Sequence, residues 1–489
     1  MKKVKKFIGF LFIVLFIFIC FLVFNTYNFK SKQISVKTIT PINIHHSAIE
    51  HLSEAIQIKT ISNENSAKMN TSEFDKFSTF LKETYPLTDS LLHKKTFNNY
   101  SHLYFWQGVN TSLKPIVLMA HIDVVPTIEK NKNLWTEDPF SGLIKNNIIW
   151  GRGAIDDKVS VIGILEATES LLKQGFTPNR SVYITLGHDE EIGGLNGALV
   201  IANYLEEKNV DIEFVLDEGG VITQGLVPGI EKEVAIIGIA EKGFISVELS
   251  VEIEGGHSSM PAKETAIDVI SNAVVKLKNN PFPARITEPL SGFINFVGPE
   301  MPFVNKLVFA NAGIFESVIT GIYEKQSSTN AMVRTTTSPT IFNSGIKENI
   351  IPLTASATVN FRILSGDTSE TVIKHVKNII NDPRITLSYS NFFSEPSKVS
   401  PTDSFGFKTI HKTIAEIFGD VIISPTLVVG GTDSKHFKNV TSNIYRFTPI
   451  HINSENIKSF HGINERISVE DFENAIRFYV QIIKNSTLN

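Results

Sequence analysis

Three short apolar runs in this 489-residue chain each end in residues that can bind a metal or move a proton. PIVLMA (115–120) runs into His121-Ile122-Asp123, SVYITLG (181–187) into His188-Asp189-Glu190-Glu191, and IEFVL (212–216) into Asp217-Glu218-Gly219-Gly220. Carboxylates delivered together to one cleft repel one another unless cations sit among them, and a set of His and carboxylate ligands suits zinc. In His121-x-Asp123 the two-residue period of a strand points both side chains to the same side, so one can bind metal while the other orients it. The turn Gly151-Arg152-Gly153-Ala154-Ile155-Asp156-Asp157-Lys158 offers a carboxylate on flexible backbone that could bridge two metals. Adjacent Glu190-Glu191 invites a division of labour, one residue on metal and the other a free general base. Taken singly these motifs are weak, since an H-x-D triplet or a Glu pair is commonly a hydrogen-bonding or solvated feature. Their joint placement carries the reading. A phosphate loop of the form GxxxxGK[ST] is missing, which disfavours nucleotide chemistry.

The three runs are short and nearly continuous, as expected of strands buried on both faces of a mainly parallel sheet, and sites in such sheets form beyond the carboxyl ends of the strands. Helical patterns lie between them, for example at 159–174, where Gly175 and Pro178 mark the stop. The pattern changes near residue 243. Val247, Leu249, Val251 and Ile253 alternate with polar residues, as do Ala355, Ala357, Val359 and Phe361, which predicts half-buried antiparallel strands. Helical patterns accompany them at 264–278 and 368–381, an apolar helix is expected near 304–323, and a helix at 469–484 with Ser468 as its N-cap closes the chain. The expected division is an N-terminal anchor at 1–30, a polar spacer at 31–45, a catalytic domain at 46–242 and 366–489, and an inserted α+β domain at 243–365.

The net charge of −4 combines a basic head and an acidic body: residues 1–30 hold five lysines and no acid, leaving −9 for the rest. That balance argues against a nucleic-acid partner. Residues 7–24 form an uncharged apolar run, about 27 Å long as a helix and close to a bilayer's hydrocarbon thickness. The lysines before it favour a cytoplasmic N-terminus, which puts the body on the periplasmic, extracellular or lumenal side. A cleaved signal peptide and a buried core helix are the competing readings; Asn25, Thr26 and Tyr27 make a poor cleavage site. The lone cysteine, Cys20, falls inside this run.

Together MAHIDVVP, WTEDPFSGLI, IWGRGAIDDK, GHDEEIGG, VLDEGG, GGHSS and FHGINERI resemble the di-zinc aminoacylase and carboxypeptidase family, over roughly residues 50–485. That family includes acetylornithine deacetylase, succinyl-diaminopimelate desuccinylase and carboxypeptidase S. The carboxypeptidase S branch, which holds the N-fatty-acyl-amino-acid synthase/hydrolase, is the nearest in flavour. The resemblance implies an α/β fold: a mainly parallel-sheet di-zinc catalytic domain with an inserted α+β lid or dimerisation domain, behind an N-terminal transmembrane helix. It implies two Zn2+ per subunit, with Co2+ or Mn2+ as possible substitutes. Asp156 would bridge them; His121 and Asp217 would complete one site, Glu191 and His461 the other. His436 and His451 are set aside because FHGINER resembles the family's terminal ligand motif. Asp123 would orient His121, Glu190 would be the general base, and His257 would polarise the substrate carbonyl, often from the opposite subunit. Asn349 and Arg362 would hold the substrate carboxylate, with Gly430 and Gly431 lining the pocket.

The expected activity is hydrolysis of an amide next to a free carboxylate, by a carboxypeptidase acting on short peptides. A hydrolase or synthase of N-acyl, possibly fatty-acyl, amino acids is the alternative within the same chemistry, and a catalytically inactive binding protein on the same fold is the alternative outside it. A homodimer through the lid domain is the expected assembly.

Overall fold

The computed structural model describes residues 2–390 and 393–487. The three apolar runs become Ile116–His121, Val182–Gly187 and Phe214–Asp217, neighbours at the centre of a ten-stranded sheet. Ile116–His121 pairs in parallel with both of the others, and Phe214–Asp217 pairs in parallel with Ile444–Arg446. All six residues of Ile116–His121 are buried, the environment that a continuous apolar run without polar alternation requires. On one side the sheet continues through the antiparallel strands Ser101–Trp106 and His93–Phe97. On the other it continues through Val234–Glu241, which pairs in parallel with Ile422–Val428. The helix Lys158–Lys173 covers the centre of the sheet and packs against the closing helix Val469–Thr487.

A second, antiparallel sheet has the order Thr336–Ser344, Thr354–Ile363, Gly243–Glu252, Thr386–Tyr389. Its strict alternation buries Ile245, Val247, Leu249, Val359 and Phe361 against the helices Ala266–Asn279 and Ser369–Ile380 and leaves the other face wet. Each of these helices starts with a capping box, at Thr265 and Thr368. The second sheet therefore draws on chain beyond residue 365, the boundary expected from sequence, because Ser369–Ile380 and Thr386–Tyr389 complete its core and edge. The helices between 288 and 323 pack elsewhere: Leu290, Phe293, Ile294 and Val297 join Val234 and Ile422 at the rim of the large sheet.

Residues 2–28 form one helix, apolar enough over 26 residues to be a membrane anchor or a signal sequence. It stands clear of the body along most of its length, so it is not a core helix; Leu22 and Thr26, near its end, are its buried positions. The segment 31–45 does not behave as a free spacer. Gln33 exchanges hydrogen bonds with the backbone of Ile423 at 2.9 and 3.0 Å, and Val36, Ile42 and Ile44 pack on the main core.

Candidate metal centre

Beyond the carboxyl ends of the three central strands, two groups of side chains share one carboxylate. His121, Asp156 and Glu218 form the first; Asp156, Glu191 and His461 form the second. His121 Nε2 lies 3.1 Å from Asp156 Oδ1 and 3.3 Å from Glu218 Oε1. On the far side, His461 Nε2 lies 3.0 Å from Asp156 Oδ2 and 3.1 Å from Glu191 Oε2. Asp156 thus turns one oxygen to each histidine, the disposition of a carboxylate between two cations.

Each member is placed by its own local structure. His121 is the last residue of its strand; its Nδ1 faces the Asp123 backbone carbonyl at 3.0 Å and the Asp123 carboxylate at 3.4 Å, which leaves Nε2 for the centre. The Asp123 carboxylate also accepts the backbone N–H groups of Glu190 at 3.1 Å and Glu191 at 3.2 Å, so one residue orients both the histidine and the turn of 3-10 helix carrying Glu191. The loop with Asp156 enters the helix Lys158–Lys173 through Gly153, whose φ of +90° suits glycine, and a Cβ there would come within 2.9 Å of Val124 Cγ1. Glu465 clamps the same loop. Its Oε1 accepts the N–H groups of Gly153, Ile155 and Asp156 at 2.9, 3.0 and 3.2 Å, while its other oxygen pairs with the Arg152 guanidinium. His461 has φ +53°, a left-handed conformation sparsely used outside glycine, in the tight loop before Glu465.

Asp217, expected among the ligands, belongs to neither group. It ends its strand with its Oδ2 accepting the Ser434 N–H at 2.9 Å, while Glu218, one residue on, reaches His121. Successive residues leave a strand on opposite sides, so only one of an adjacent pair can face the centre. Neither Glu218 as a ligand nor Glu465 as a clamp was singled out from sequence; Glu218 was visible in VLDEGG and Glu465 in FHGINERI.

The electrostatics are those of a site built for positive charge. Burial raises the pKa values of Glu190, Glu218 and Asp157, and neighbouring carboxylates add to it: Asp433, Glu218 and Glu191 around Glu190, Asp156 around Glu218 and Asp157. His461 is lifted to about 10 by hydrogen bonds to Asp156 and Glu191. Burial opposes charge on His121, yet Glu218, Asp123 and Asp156 hold its pKa well above the ordinary value. Asp156 is likewise buried but held below the usual carboxylate range by His121 and His461. Glu191 Oε1 and both carboxylate oxygens of Asp433 are buried without a hydrogen-bond partner. Two histidines and three carboxylates, with unpaired acidic oxygens beside them, fit a pair of divalent cations.

Other sequence-predicted residues lie outside both groups. His257 is exposed on the short strand Gly256–His257, its Nδ1 2.7 Å from Ser259 Oγ, and the Ser258 N–H donates to the Asn349 carbonyl at 3.2 Å, so His257 and Asn349 share one edge of the second unit. Arg362 is exposed in Thr354–Ile363 with its guanidinium 5.7 Å from the centre of the Phe244 ring. Gly430 and Gly431 follow Ile422–Val428 with open space at both Cβ positions, just before Thr432, whose N–H and hydroxyl bond Glu241.

Known proteins resemble this chain along most of its length. The model of peptidase family M20/M25/M40 matches residues 117–485. A probable carboxypeptidase S-like 2 of Dictyostelium discoideum is 43% identical over 95% of this chain and 91% of its own. The N-fatty-acyl-amino acid synthase/hydrolase PM20D1 of Xenopus tropicalis is 42% identical over 90% of this chain and 85% of its own. Among solved structures, an M20 family metallo-carboxypeptidase from Sulfolobus solfataricus aligns with a TM-score of 0.66 at 18% identity, covering 90% of this chain and 99% of its own, a likeness of fold. With its sheet, its histidines and its shared carboxylate accounted for, the chain belongs to peptidase family M20/M25/M40, a family of metal-dependent hydrolases.

Proposed function

We propose that this protein is a two-zinc hydrolase that cleaves an amide bond next to a free carboxylate, acting as a carboxypeptidase on short peptides and held at a membrane by its N-terminal helix. The observation that carries the reading is Asp156 standing between His121 and His461, with a different oxygen at each. His121, Asp156 and Glu218 would hold one cation; Asp156, Glu191 and His461 would hold the other. Zinc bound there supplies an acidified water and a polarised carbonyl. Glu190, beside Glu191 but outside both groups, takes the proton of the attacking water and returns it to the leaving amine; its raised pKa suits a group that must both accept and donate. Asp123 keeps His121 and the 190–191 turn in register. His257, carried on the second unit or on that of a partner copy, would add a donor to the scissile carbonyl. Arg362 and Asn349 would receive the substrate carboxylate through charge-assisted and polar bonds, and Gly430-Gly431 would leave room beside it.

A second reading, hydrolysis or synthesis of N-acyl amino acids, is favoured by the 42% identity to a relative bearing that name. Incubating the zinc-loaded full chain with dipeptides and with N-acyl amino acids in parallel separates the two. Turnover of dipeptides supports the first reading, turnover confined to N-acyl amino acids supports the second, and inactivity on both in a folded, metal-loaded sample contradicts both.

A further inference from the structure

The body meets the apolar N-terminal helix near the helix's end, at Asn311. Asn311 Nδ2 donates to the Leu22 carbonyl at 3.2 Å and to the Leu307 carbonyl at 2.8 Å, and Asn25 Nδ2 donates to Asn311 Oδ1 at 2.8 Å. Leu22 lies inside the uncharged run 7–24, so Asn311 sits at the depth where that run ends. Asn311 is also the junction of two apolar helices, Phe303–Ala310 and Ala312–Tyr323. Their inner sides pack with Phe29 on the rim of the large sheet. Their outer sides carry Phe303, Val304, Ile314, Val318 and Ile322, all exposed, Val304 at 72% and Ile322 at 55%. Val318 and Ile322 are four residues apart and lie on one helix face. Between 303 and 323 there are two charged residues, and both are engaged with backbone: Lys306 Nζ donates to the Pro299 carbonyl at 3.2 Å and Glu316 Oε1 accepts the Ile286 N–H at 3.1 Å. The connection to the anchor is short and fixed, since Phe29 is already in the packed cluster and Gln33 is bonded to Ile423.

Resting on the anchor reading above, we infer that the outer face of Phe303–Ala310 and Ala312–Tyr323 is seated in the lipid interface of the membrane that the N-terminal helix crosses. A helix leaving a bilayer beside an apolar face, with no flexible linker between them, brings that face to the membrane surface. An exposed apolar patch rather than a charged one is what the acyl–headgroup boundary accepts. The polar side chains at that depth are satisfied, Asn25 and Asn311 by each other and Thr26 by donating to the Leu22 carbonyl at 2.7 Å. The enzyme body then has one fixed orientation on the membrane instead of swinging on a tether.

The lone cysteine makes the test direct. In a Cys20→Ser background the full chain carries a single spin label at Val304→Cys, Val318→Cys, Phe16→Cys or Ile346→Cys, in vesicles of phosphatidylcholine and phosphatidylglycerol. Collision rates with oxygen, which concentrates in lipid, and with a water-soluble nickel chelate are then compared. Labels at 304 and 318 are expected to favour oxygen, as the label at 16 does, with the label at 346, on a 92% exposed residue, favouring nickel. Labels at 304 and 318 that match 346 while 16 stays in lipid overturn the inference and leave the anchor standing. A label at 16 open to nickel overturns the anchor and the inference together. Shielding of 318 from both reagents with spin–spin broadening shows a second copy on this face and also overturns it.

Discussion

The Glu465 carboxylate accepts the backbone N–H of Asp156 at 3.2 Å, so the residue shared by both candidate metal-binding groups is held in place from the far end of the chain. Glu465 and its partner Arg152 are both buried. Removing one member of a buried pair strands the other, at a cost of about 3–5 kcal/mol. Glu465→Ala is therefore expected to lower stability by that order in urea unfolding and to lose metal on dialysis, whereas Glu465→Gln, which still accepts the loop N–H groups, is expected to lose less of both.

Variants at Asp217 and Glu218 are expected to separate structure from ligation. Asp217→Asn should keep two metals per chain, because its oxygen serves the Ser434 N–H and an amide oxygen can do the same. Its effect belongs to stability, about 1 kcal/mol in denaturant unfolding. A loss of metal in this variant comparable with that of Glu218→Ala would contradict the assignment.

In the proposed mechanism Glu190 moves protons without holding metal, so Glu190→Gln should lower kcat by about 10²–10⁴-fold with metal content unchanged. Parallel activity assay and elemental analysis check this; loss of metal along with activity would make Glu190 a ligand instead.

His411 provides a pH handle remote from the centre. Buried between Phe296 and Phe407, it is pushed down to about 4 by desolvation. Its folded pKa lies below its unfolded one, so the unfolded chain binds more protons between about pH 6.5 and 4. The neutral ring's contribution is present above that window and is lost as pH falls through it. His411→Phe should remove up to roughly 3 kcal/mol of that acid-side loss, read as the difference in urea stability between pH 7 and 4.5.

The framework of the fold was legible because its strands announce themselves by burial: PIVLMA has no polar alternation and lies at the sheet centre, and Val247–Val251 alternates and lies on a half-wet sheet. His121 and the Glu190-Glu191 pair stand out because each follows a buried strand, and Asp156 because it sits in a glycine turn, whereas His461 is reached only through the resemblance of FHGINERI to a family motif. Asp217 and Glu218 were not separable, since which of two adjacent carboxylates faces inward depends on where the strand ends, and it ends at Asp217. Glu465 was hidden for another reason: its partners are backbone N–H groups more than 300 residues away, which leave no mark in residue types. The second sheet runs past the expected boundary at 365: its last strand, Thr386–Tyr389, is four residues long and lies beyond a helix that reads equally well as part of either unit.

The most direct measurement is the number of zinc ions bound per chain after reconstitution, in the native protein and in two single variants. Two are expected in the native chain, one in Glu218→Ala and one in Glu191→Ala, since each substitution removes a proposed ligand from one side of Asp156 only. A single ion in the native chain, or two retained in both variants, would contradict the two-zinc proposal.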